Sequence, residues 1–314
     1  MQSDYGKSQT LSYIVKQCTK QSKANLILHT AAKNALFSKV LHLFDWSAID
    51  LRVSMPEDIV ILKFGGSVIT DKKSEIPKVN HKALDRICNI LKDKERNMII
   101  VHGAGSYGHP IAKRYALAEG LDGSQEQKKA IKETRKQVHE LNQLLCGRLQ
   151  ESRIETKSVI PSQSMRTRGP REIENFPISE FDKPLKEGRI PVTFGDVTED
   201  LIQGINILSG DVIMMELARI YEPRLTVFVM DYPGVMKGRP EDEKSEIIPL
   251  VDSETRESIK KYYGEERITD VTGGLVGKLE CAARIAEHSQ CWITNLDHLE
   301  DCICGDFYGS RVIP

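Results

Sequence analysis

The chain has 314 residues, of which 40% are hydrophobic and 28% are charged, and its 44 basic residues almost balance its 45 acidic ones. That composition is typical of a soluble globular protein, and the small net charge gives no reason to expect a nucleic-acid or membrane partner. No apolar run reaches the roughly 18 to 20 residues of a membrane span, and seven cysteines without zinc-binding spacing favour reduced thiols in the cytoplasm.

Residues 1–54 differ in composition from the rest of the chain. They hold seven Lys and Arg but only three acids, with many serines and an apolar-rich stretch over 24–44. One interpretation is an organelle-targeting leader, because leaders are basic, rich in serine and poor in acids. The other is a disordered or marginally helical extension, which the use of lysine in place of arginine favours. We therefore expect the catalytic domain to span 55–314.

Two predicted strands each run into a glycine-rich turn. The apolar run over 59–64 ends at Gly65-Gly66-Ser67, and the apolar run over 98–101 leads into the turn 103–108. Between them, Asn80 can cap a helix whose apolar residues fall at helical spacing. This order predicts a β-loop-α-β unit.

The turn over 103–108 is the candidate anion site of this unit. Pro110 suits the first position of a helix, where its missing N–H costs nothing, so the glycines lie between a strand and a helix. The unpaired N–H groups of a helix start face one spot there, and glycines let an anion approach the backbone closely. His109 stands at the mouth of the turn, where a ring N–H could reach a phosphate group.

The remaining sequence alternates between strands and helices. Further strands are predicted at 158–160, Ile190–Phe194, Leu225–Met230, 292–294 and 311–313, and further helices at Gln125–Glu151, 209–221 and from Leu279 onward. The charged, proline-broken sequence after the turn 231–234 is predicted to be irregular up to about residue 266. Alternating strands and helices predict an α/β fold, a three-layer αβα sandwich around a mostly parallel central sheet that binds ligands at the carboxyl ends of its strands.

Three familiar nucleotide-binding motifs are excluded. Gly103, Gly105 and Gly108 match the dinucleotide fingerprint, which needs an acid about 20 residues on, at the end of the next strand. The corresponding region, 118–136, is a predicted loop and charged helix without such a strand. The P-loop pattern fails because Leu279 follows Lys278 where Ser or Thr should stand. The catalytic-loop and metal-binding motifs of protein kinases are absent from the sequence.

A larger set of motifs is more specific. In chain order it comprises Lys63-Phe-Gly-Gly-Ser67, the turn 103–108, Gly195-Asp196, Ser209-Gly210-Asp211 and Asp270-x-x-Gly-Gly-x-x-Gly-Lys278. This set resembles the amino acid kinase family over residues 59–312. Gly-Ser-Tyr-Gly-His-Pro, Asp71-Lys72 and Thr272-Gly-Gly274 together resemble the isopentenyl phosphate kinases within that family. The sequence departs from their usual pattern at Ala104, Tyr107 and Tyr232-Pro233.

The resemblance implies a phosphotransferase that moves the γ-phosphoryl group of ATP to the phosphate of isopentenyl phosphate, giving isopentenyl diphosphate. It also implies Mg²⁺ bound with ATP, a homodimer, an acceptor lobe over about 55–195 and a nucleotide lobe over about 196–314. A general base is not needed, because a phosphate monoester is already ionised near neutral pH. The difficulty is repulsion between two anions, so positioning and electrostatic stabilisation are expected to dominate catalysis.

The resemblance also implies roles for individual residues. Lys63 would hold the ATP phosphates, Lys72 would stabilise the charge that develops between donor and acceptor, and Asp211 would hold the active-site lysines in place. The residues implied in ATP binding are Lys63, Gly65, Gly66, Ser67, Gly105, Asp231, Gly274 and Lys278. The residues implied in acceptor binding are Ala104, His109 and Gly195, with Ile111, Tyr115 and Val138 as candidates for the alkyl pocket. No residue is assigned to a metal.

Two other functions stay open from the sequence. The same fold and histidine would suit a kinase of another small phosphate or of a phosphonate such as fosfomycin. A non-catalytic binding module on the same fold is the third hypothesis, which the presence of Lys63, Asp211 and Lys278 disfavours. His109 could alternatively be a structural helix cap, and His102, at the end of the second strand, is interpreted as structural.

Overall fold

The computed structural model describes residues 58–314 apart from 72–73, 75, 95–96, 239–244 and 264–273. The prediction for residues 1–54 and the position of Lys72 lie outside the described residues. No helix in the described part of the chain is both long and apolar enough to cross a membrane.

The strands of the described residues form two sheets. In chain order they are β1 Val60–Phe64, β2 Met98–His102, β3 Thr156–Ser158, β4 Arg166–Thr167, β5 Ile173–Asn175, β6 Ile190–Phe194, β7 Asp196–Asp200, β8 Gly204–Leu208, β9 Leu225–Met230, β10 Leu250–Val251, β11 Gln290–Asn295 and β12 Ser310–Val312. The central sheet has the order β10, β12, β11, β9, β1, β2, β6, β3, and β5, β4, β7 and β8 form the smaller one. In the central sheet only the pair β11 and β12 is antiparallel among the described strands.

Helices cover both faces of the central sheet. The α-helices of the described residues are α1 Gly66–Ile69, α2 His81–Leu91, α3 His109–Arg114, α4 Gln125–Glu151, α5 Pro161–Ser164, α6 Ile178–Lys186, α7 Gly210–Tyr221, α8 Ser253–Tyr263, α9 Gly274–Ile285 and α10 Leu299–Cys304, with short 3-10 turns at Gly105–Tyr107 and Leu117–Glu119. Asn80, Ser124 and Ser209 cap α2, α4 and α7, each accepting from a backbone N–H in the first turn.

Side-chain alternation along β1 assigns these helices to two layers. Ile61 packs with α6, α7, α8 and α9 on one face, whereas Leu62 and Phe64 pack with α2, α4 and α10 on the other. All five residues of β1 are buried, as expected for a central parallel strand covered on both sides. The predicted three-layer αβα sandwich around a mostly parallel sheet is confirmed.

The structure corrects the sequence prediction in three places. The strand predicted at 158–160 lies at Thr156–Ser158, because Pro161 starts α5 directly afterwards. The segment predicted to be irregular contains β10 and α8. The hairpin of β7 and β8 was not predicted; its turn requires Gly204, whose φ is +81°.

Candidate active site

Lys63 and Asp211, both predicted for catalysis, meet Lys278, predicted for ATP binding, at the carboxyl end of the central sheet. Strand alternation places Lys63 on the same face as Ile61, which α7 and α9 cover. Asp211 lies in the first turn of α7 and Lys278 lies in α9. Lys63 Nζ donates to Asp211 Oδ1, and Lys278 Nζ donates to the two carboxylate oxygens at 3.1 and 3.2 Å. Two ammonium groups therefore share one carboxylate.

Burial and mutual attraction shift the pKa values of Lys63, Asp211 and Lys278, which we call the trio. Burial lowers the pKa of Lys63 to about 8, against the opposing attraction of Asp211. Burial acts to raise the pKa of Asp211, but Lys278 and Lys63 outweigh it and hold that pKa well below its usual range. At Lys278 the attraction of Asp211 outweighs burial, and the pKa is raised. At neutral pH the trio therefore carries two positive charges and one negative charge, which attracts phosphate.

An aromatic ring lies beneath both ammonium groups. Phe228 on β9 is the direct neighbour of Lys63 in the sheet and is almost fully buried. Its ring centroid is 5.8 Å from Lys63 Nζ and 5.2 Å from Lys278 Nζ, within the range of a cation–π interaction. The sequence analysis missed this role, because Phe228 stands in an apolar run that predicts only a buried strand.

The two glycine turns lie back to back beside the trio. A Cβ atom built on Gly66 would come within 2.3 Å of the Gly105 nitrogen, and one built on Gly105 would come within 2.0 Å of Thr70 Oγ1. Gly105 also has a φ of +51°, which lies in the left-handed region that favours glycine. Only glycine fits at these two positions without displacing backbone.

A cleft of about 530 Å³ opens beside the trio and between the turns. Apart from the alkyl-pocket candidates, every predicted site residue that the structure describes lines this cleft, namely Lys63, Gly65, Gly66, Ser67, Ala104, Gly105, His109, Gly195, Asp211, Asp231, Gly274 and Lys278. The fold therefore brings together residues that are more than 200 positions apart in the chain. Their individual roles stay predictions.

The two histidines near the second glycine turn differ in environment. His109 begins α3 and lies partly buried in the cleft wall. His102 is fully buried, its ring stacks on Phe194 with centroids 5.2 Å apart, and its Nδ1 donates to the Gly103 carbonyl at 3.0 Å. Burial lowers the pKa of His102 to about 4, so it is neutral at physiological pH. His102 is thus a buried residue that hydrogen-bonds to the start of the turn at Gly103, in agreement with its structural interpretation.

Part of the cleft lining is apolar. Ala112, Val138, Val197 and Ile207 belong to it. Three of them, all except Val138, lie in or against a small hydrophobic cluster that α3, α4 and the hairpin of β7 and β8 build outside the main cores. Of the three alkyl-pocket candidates, only Val138 lines the cleft. Ile111 packs against the small cluster, and Tyr115 is exposed.

A buried carboxylate that was not predicted as a site residue also lines the cleft. Asp196 Oδ2 accepts from the Ser162 N–H at 3.0 Å and Oδ1 accepts from the Val197 N–H at 2.8 Å. Burial raises the pKa of Asp196. Because Asp196 hydrogen-bonds to Ser162 and Val197 and not to lysines, it provides a comparison for Asp211.

The described residues contain no cluster of three or more His, Cys, Asp or Glu that could hold a metal ion by itself. Mg²⁺ in nucleotide sites usually keeps several waters and takes one or two carboxylates plus substrate phosphates. The cleft offers the Asp231 side chain for such a role.

Comparison with known proteins identifies relatives over most of the chain. Residues 58–295 match the sequence model of the amino acid kinase family. An isopentenyl phosphate kinase of Methanothermobacter thermautotrophicus is 31% identical over 236 residues, which cover 73% of this chain and 87% of that protein. One of Methanocaldococcus jannaschii is 32% identical over 235 residues, which cover 71% of this chain and 85% of that protein.

A solved structure gives the same answer for the fold. The structure described as "X-ray structures of isopentenyl phosphate kinase" superimposes with a TM-score of 0.69 and 27% identity, over 81% of this chain and 99% of that one. The superposition, the sequence match and the cleft built from glycine turns and buried lysines agree with the resemblance inferred from the motifs. The chain belongs to the amino acid kinase family.

Proposed function

We propose that this protein transfers the γ-phosphoryl group of ATP to the phosphate of isopentenyl phosphate and releases isopentenyl diphosphate and ADP. The observation that carries the proposal is the buried trio, which lines the same cleft as the turn that ends in His109. The relatives named isopentenyl phosphate kinase, which match most of the chain at about 30% identity, support the choice of acceptor.

The donor phosphates would bind at the trio and the first glycine turn. Bringing two unit negative charges to about 4 Å costs roughly 4 kcal/mol at an effective dielectric of 20. The net positive charge of the trio and the backbone N–H groups of Gly66 and Ser67 offset this repulsion without reorganising during the reaction. Lys72, which follows Asp71 in sequence, is proposed to stabilise the charge that develops on the transferred group.

The acceptor would bind at the second glycine turn. A ring N–H of His109 donates to the acceptor phosphate, and Ala104 and Gly195 leave room for the phosphate to approach the backbone. The apolar lining by Ala112, Val138 and Ile207 would hold the hydrocarbon end of the acceptor. The phosphate oxygen that attacks is already ionised, so no side chain has to remove a proton.

ATP is the donor that the family implies, and we propose that Mg²⁺ arrives with its phosphates. Asp231 lines the cleft, and we propose that its carboxylate would contact a water of the hydrated ion, which would supply further charge neutralisation. We also propose a homodimer, which size-exclusion chromatography with light scattering would test. The division into an acceptor lobe and a nucleotide lobe near residue 195, like the cytoplasmic location, stays a prediction.

Steady-state kinetics with purified full-length protein test the function. The assay measures ADP release with isopentenyl phosphate, dimethylallyl phosphate, fosfomycin and an amino acid carboxylate as separate acceptors. We expect kcat/KM to be highest for a five-carbon monophosphate. A preference for fosfomycin would move the function to the phosphonate kinases, and ATP binding without turnover of any acceptor would favour a non-catalytic binding module.

A further inference from the structure

One hydroxyl group links the two glycine turns. Thr70 directly follows α1, and its side chain is 1% exposed. Thr70 Oγ1 donates to the Gly66 carbonyl at 2.7 Å and accepts from the Ser106 N–H at 3.1 Å. Gly66 belongs to the turn assigned to ATP, and Ser106 belongs to the turn assigned to the acceptor. The hydroxyl therefore hydrogen-bonds to both substrate-binding turns at once.

The two glycine turns approach each other so closely that neither Gly66 nor Gly105 has room for a side chain. The position that a Cβ of Gly66 would take is 2.3 Å from the Gly105 nitrogen, and that of Gly105 is 2.0 Å from the Thr70 oxygen. A side chain on either glycine would push the turns apart. The Thr70 hydroxyl occupies the contact between them, where it accepts from the buried Ser106 N–H and adds a second donor to the Gly66 carbonyl, which also accepts from the Thr70 N–H at 2.9 Å.

A second segment next to Thr70 also contacts the second glycine turn. Thr70 pairs with Val79 in an antiparallel bridge, and the Asp71 N–H donates to the Lys78 carbonyl at 2.9 Å. Ser106 Oγ accepts from the Lys78 N–H at 3.2 Å. Thr70 and Lys78 therefore both hydrogen-bond to Ser106 of the second glycine turn.

We infer that Thr70 is a positioning residue that fixes the spacing between the donor turn and the acceptor turn. This inference rests on the proposed function. In-line transfer requires the reacting atoms to be held near 3 to 3.5 Å, and a displacement of about 1 Å can cost about 100-fold in rate. Thr70 does not line the cleft, so it acts through the backbone of the two turns that do.

Both side-chain hydrogen bonds of Thr70 with the turns are made by its hydroxyl, so the hydroxyl and not the shape of the side chain should hold the turns in place. Valine has nearly the shape of threonine but can neither donate to Gly66 nor accept from Ser106, so a buried N–H is left without this acceptor. Serine keeps both hydrogen bonds and loses only the methyl group. Thr70→Val and Thr70→Ser therefore separate bonding from packing.

A matched control comes from β11. Thr294 is fully buried, and its hydroxyl has no hydrogen-bond partner among the described residues. Thr294→Val makes the same chemical change at a buried site that is not part of the cleft lining. Circular dichroism at the assay temperature verifies folding of each variant, and Thr70→Ala replaces Thr70→Val if the valine variant does not fold.

The experiment measures kcat and KM for ATP and for isopentenyl phosphate. It also measures the affinity for a non-hydrolysable ATP analogue by calorimetry, with and without isopentenyl phosphate. For Thr70→Val we expect kcat to fall about 100-fold and the effect of one ligand on the affinity of the other to disappear. Thr70→Ser and Thr294→Val should stay within about threefold of the parent protein.

Two results would overturn the inference: a Thr70→Val variant within threefold of the parent in kcat, or equal losses in Thr70→Val and Thr294→Val. If the parent protein itself does not phosphorylate isopentenyl phosphate, the proposed function fails and the inference is judged on the nucleotide alone. In that case Thr70→Val should still bind the ATP analogue at least about tenfold more weakly than the parent, and unchanged affinity would reject the role of Thr70.

Discussion

The replacement Asp211→Asn probes the electrostatics of the site most sharply. The asparagine side chain has the size of aspartate but no charge, so it leaves two ammonium groups close together in a buried place. We expect Lys63, whose pKa burial has already lowered to about 8, to lose its proton first. The donor phosphates would then meet a neutral amine in place of a cation.

The distances set the size of the effect. Lys278 Nζ lies 3.1 Å from Asp211 Oδ1, and an ion pair at that separation attracts by about 5 kcal/mol at an effective dielectric of 20. Removing the corresponding attraction between Asp211 and Lys63, while the charge of Lys278 remains, lowers the pKa of Lys63 further below 8. Loss of one preorganised charged group at a phosphoryl-transfer site reduces kcat by about 10² to 10³. We expect a decrease of this order for Asp211→Asn at pH 7.5.

The assay is the pH dependence of kcat/KM for ATP at saturating isopentenyl phosphate, which reports groups of the enzyme–acceptor complex before ATP binds. In the parent, kcat/KM should fall as pH rises through about 8, because Lys63 loses its positive charge there. In Asp211→Asn the fall should move to lower pH. Asp196→Asn is the control, because it neutralises a buried carboxylate of the same cleft whose hydrogen-bond partners, Ser162 and Val197, carry no charge; its fall should stay near pH 8. The reasoning is refuted if Asp211→Asn keeps the parental profile.

Three further predictions use the same structure. Gly105→Ala should destabilise the fold by at least about 2 kcal/mol in urea unfolding, because its new Cβ would collide with Thr70. Gly147→Ala, which places a Cβ in open space on α4, should be neutral or stabilising. Equal effects of the two substitutions would contradict this prediction. His109→Ala should lose kcat/KM for isopentenyl phosphate at least about 100-fold while keeping the nucleotide affinity in calorimetry, and parental turnover would remove His109 from the mechanism. The unfolded chain protonates His102 more readily than the folded one, so stability should fall by about 3 kcal/mol from pH 6.5 to pH 4, and His102→Phe should show a smaller fall in denaturant titrations.

The sequence could predict the parts of the site that follow from local pattern. Lys63 alternates with apolar residues on a buried strand, and the carboxyl ends of parallel strands share one edge, so its meeting with the start of α7 could be expected. Ser209 caps α7 and places Asp211 in the first turn. Glycine turns after two neighbouring strands, β1 and β2, indicated where backbone N–H groups would converge.

The residues that were missed depend on contacts between distant segments. Thr70 gives no local signal, because its importance comes from the Ser106 N–H of another turn. Phe228 stands in a run that would be apolar in any buried strand. Helix α8 was not predicted, because it is strongly charged and Ile259 is the only buried hydrophobic among its described side chains. Its apolar stripe is therefore too narrow to produce a clear helical period.

The central claim is that the trio holds the donor phosphates while the His109 turn holds the acceptor phosphate within one cleft. A crystal structure of the full-length protein with a non-hydrolysable ATP analogue and isopentenyl phosphate tests it most directly. The account predicts the terminal phosphate of the analogue against Lys63 and the acceptor phosphate against the His109 ring, with the hydrocarbon end near Val138. An acceptor phosphate bound away from His109, or donor phosphates bound away from the lysines, would contradict it.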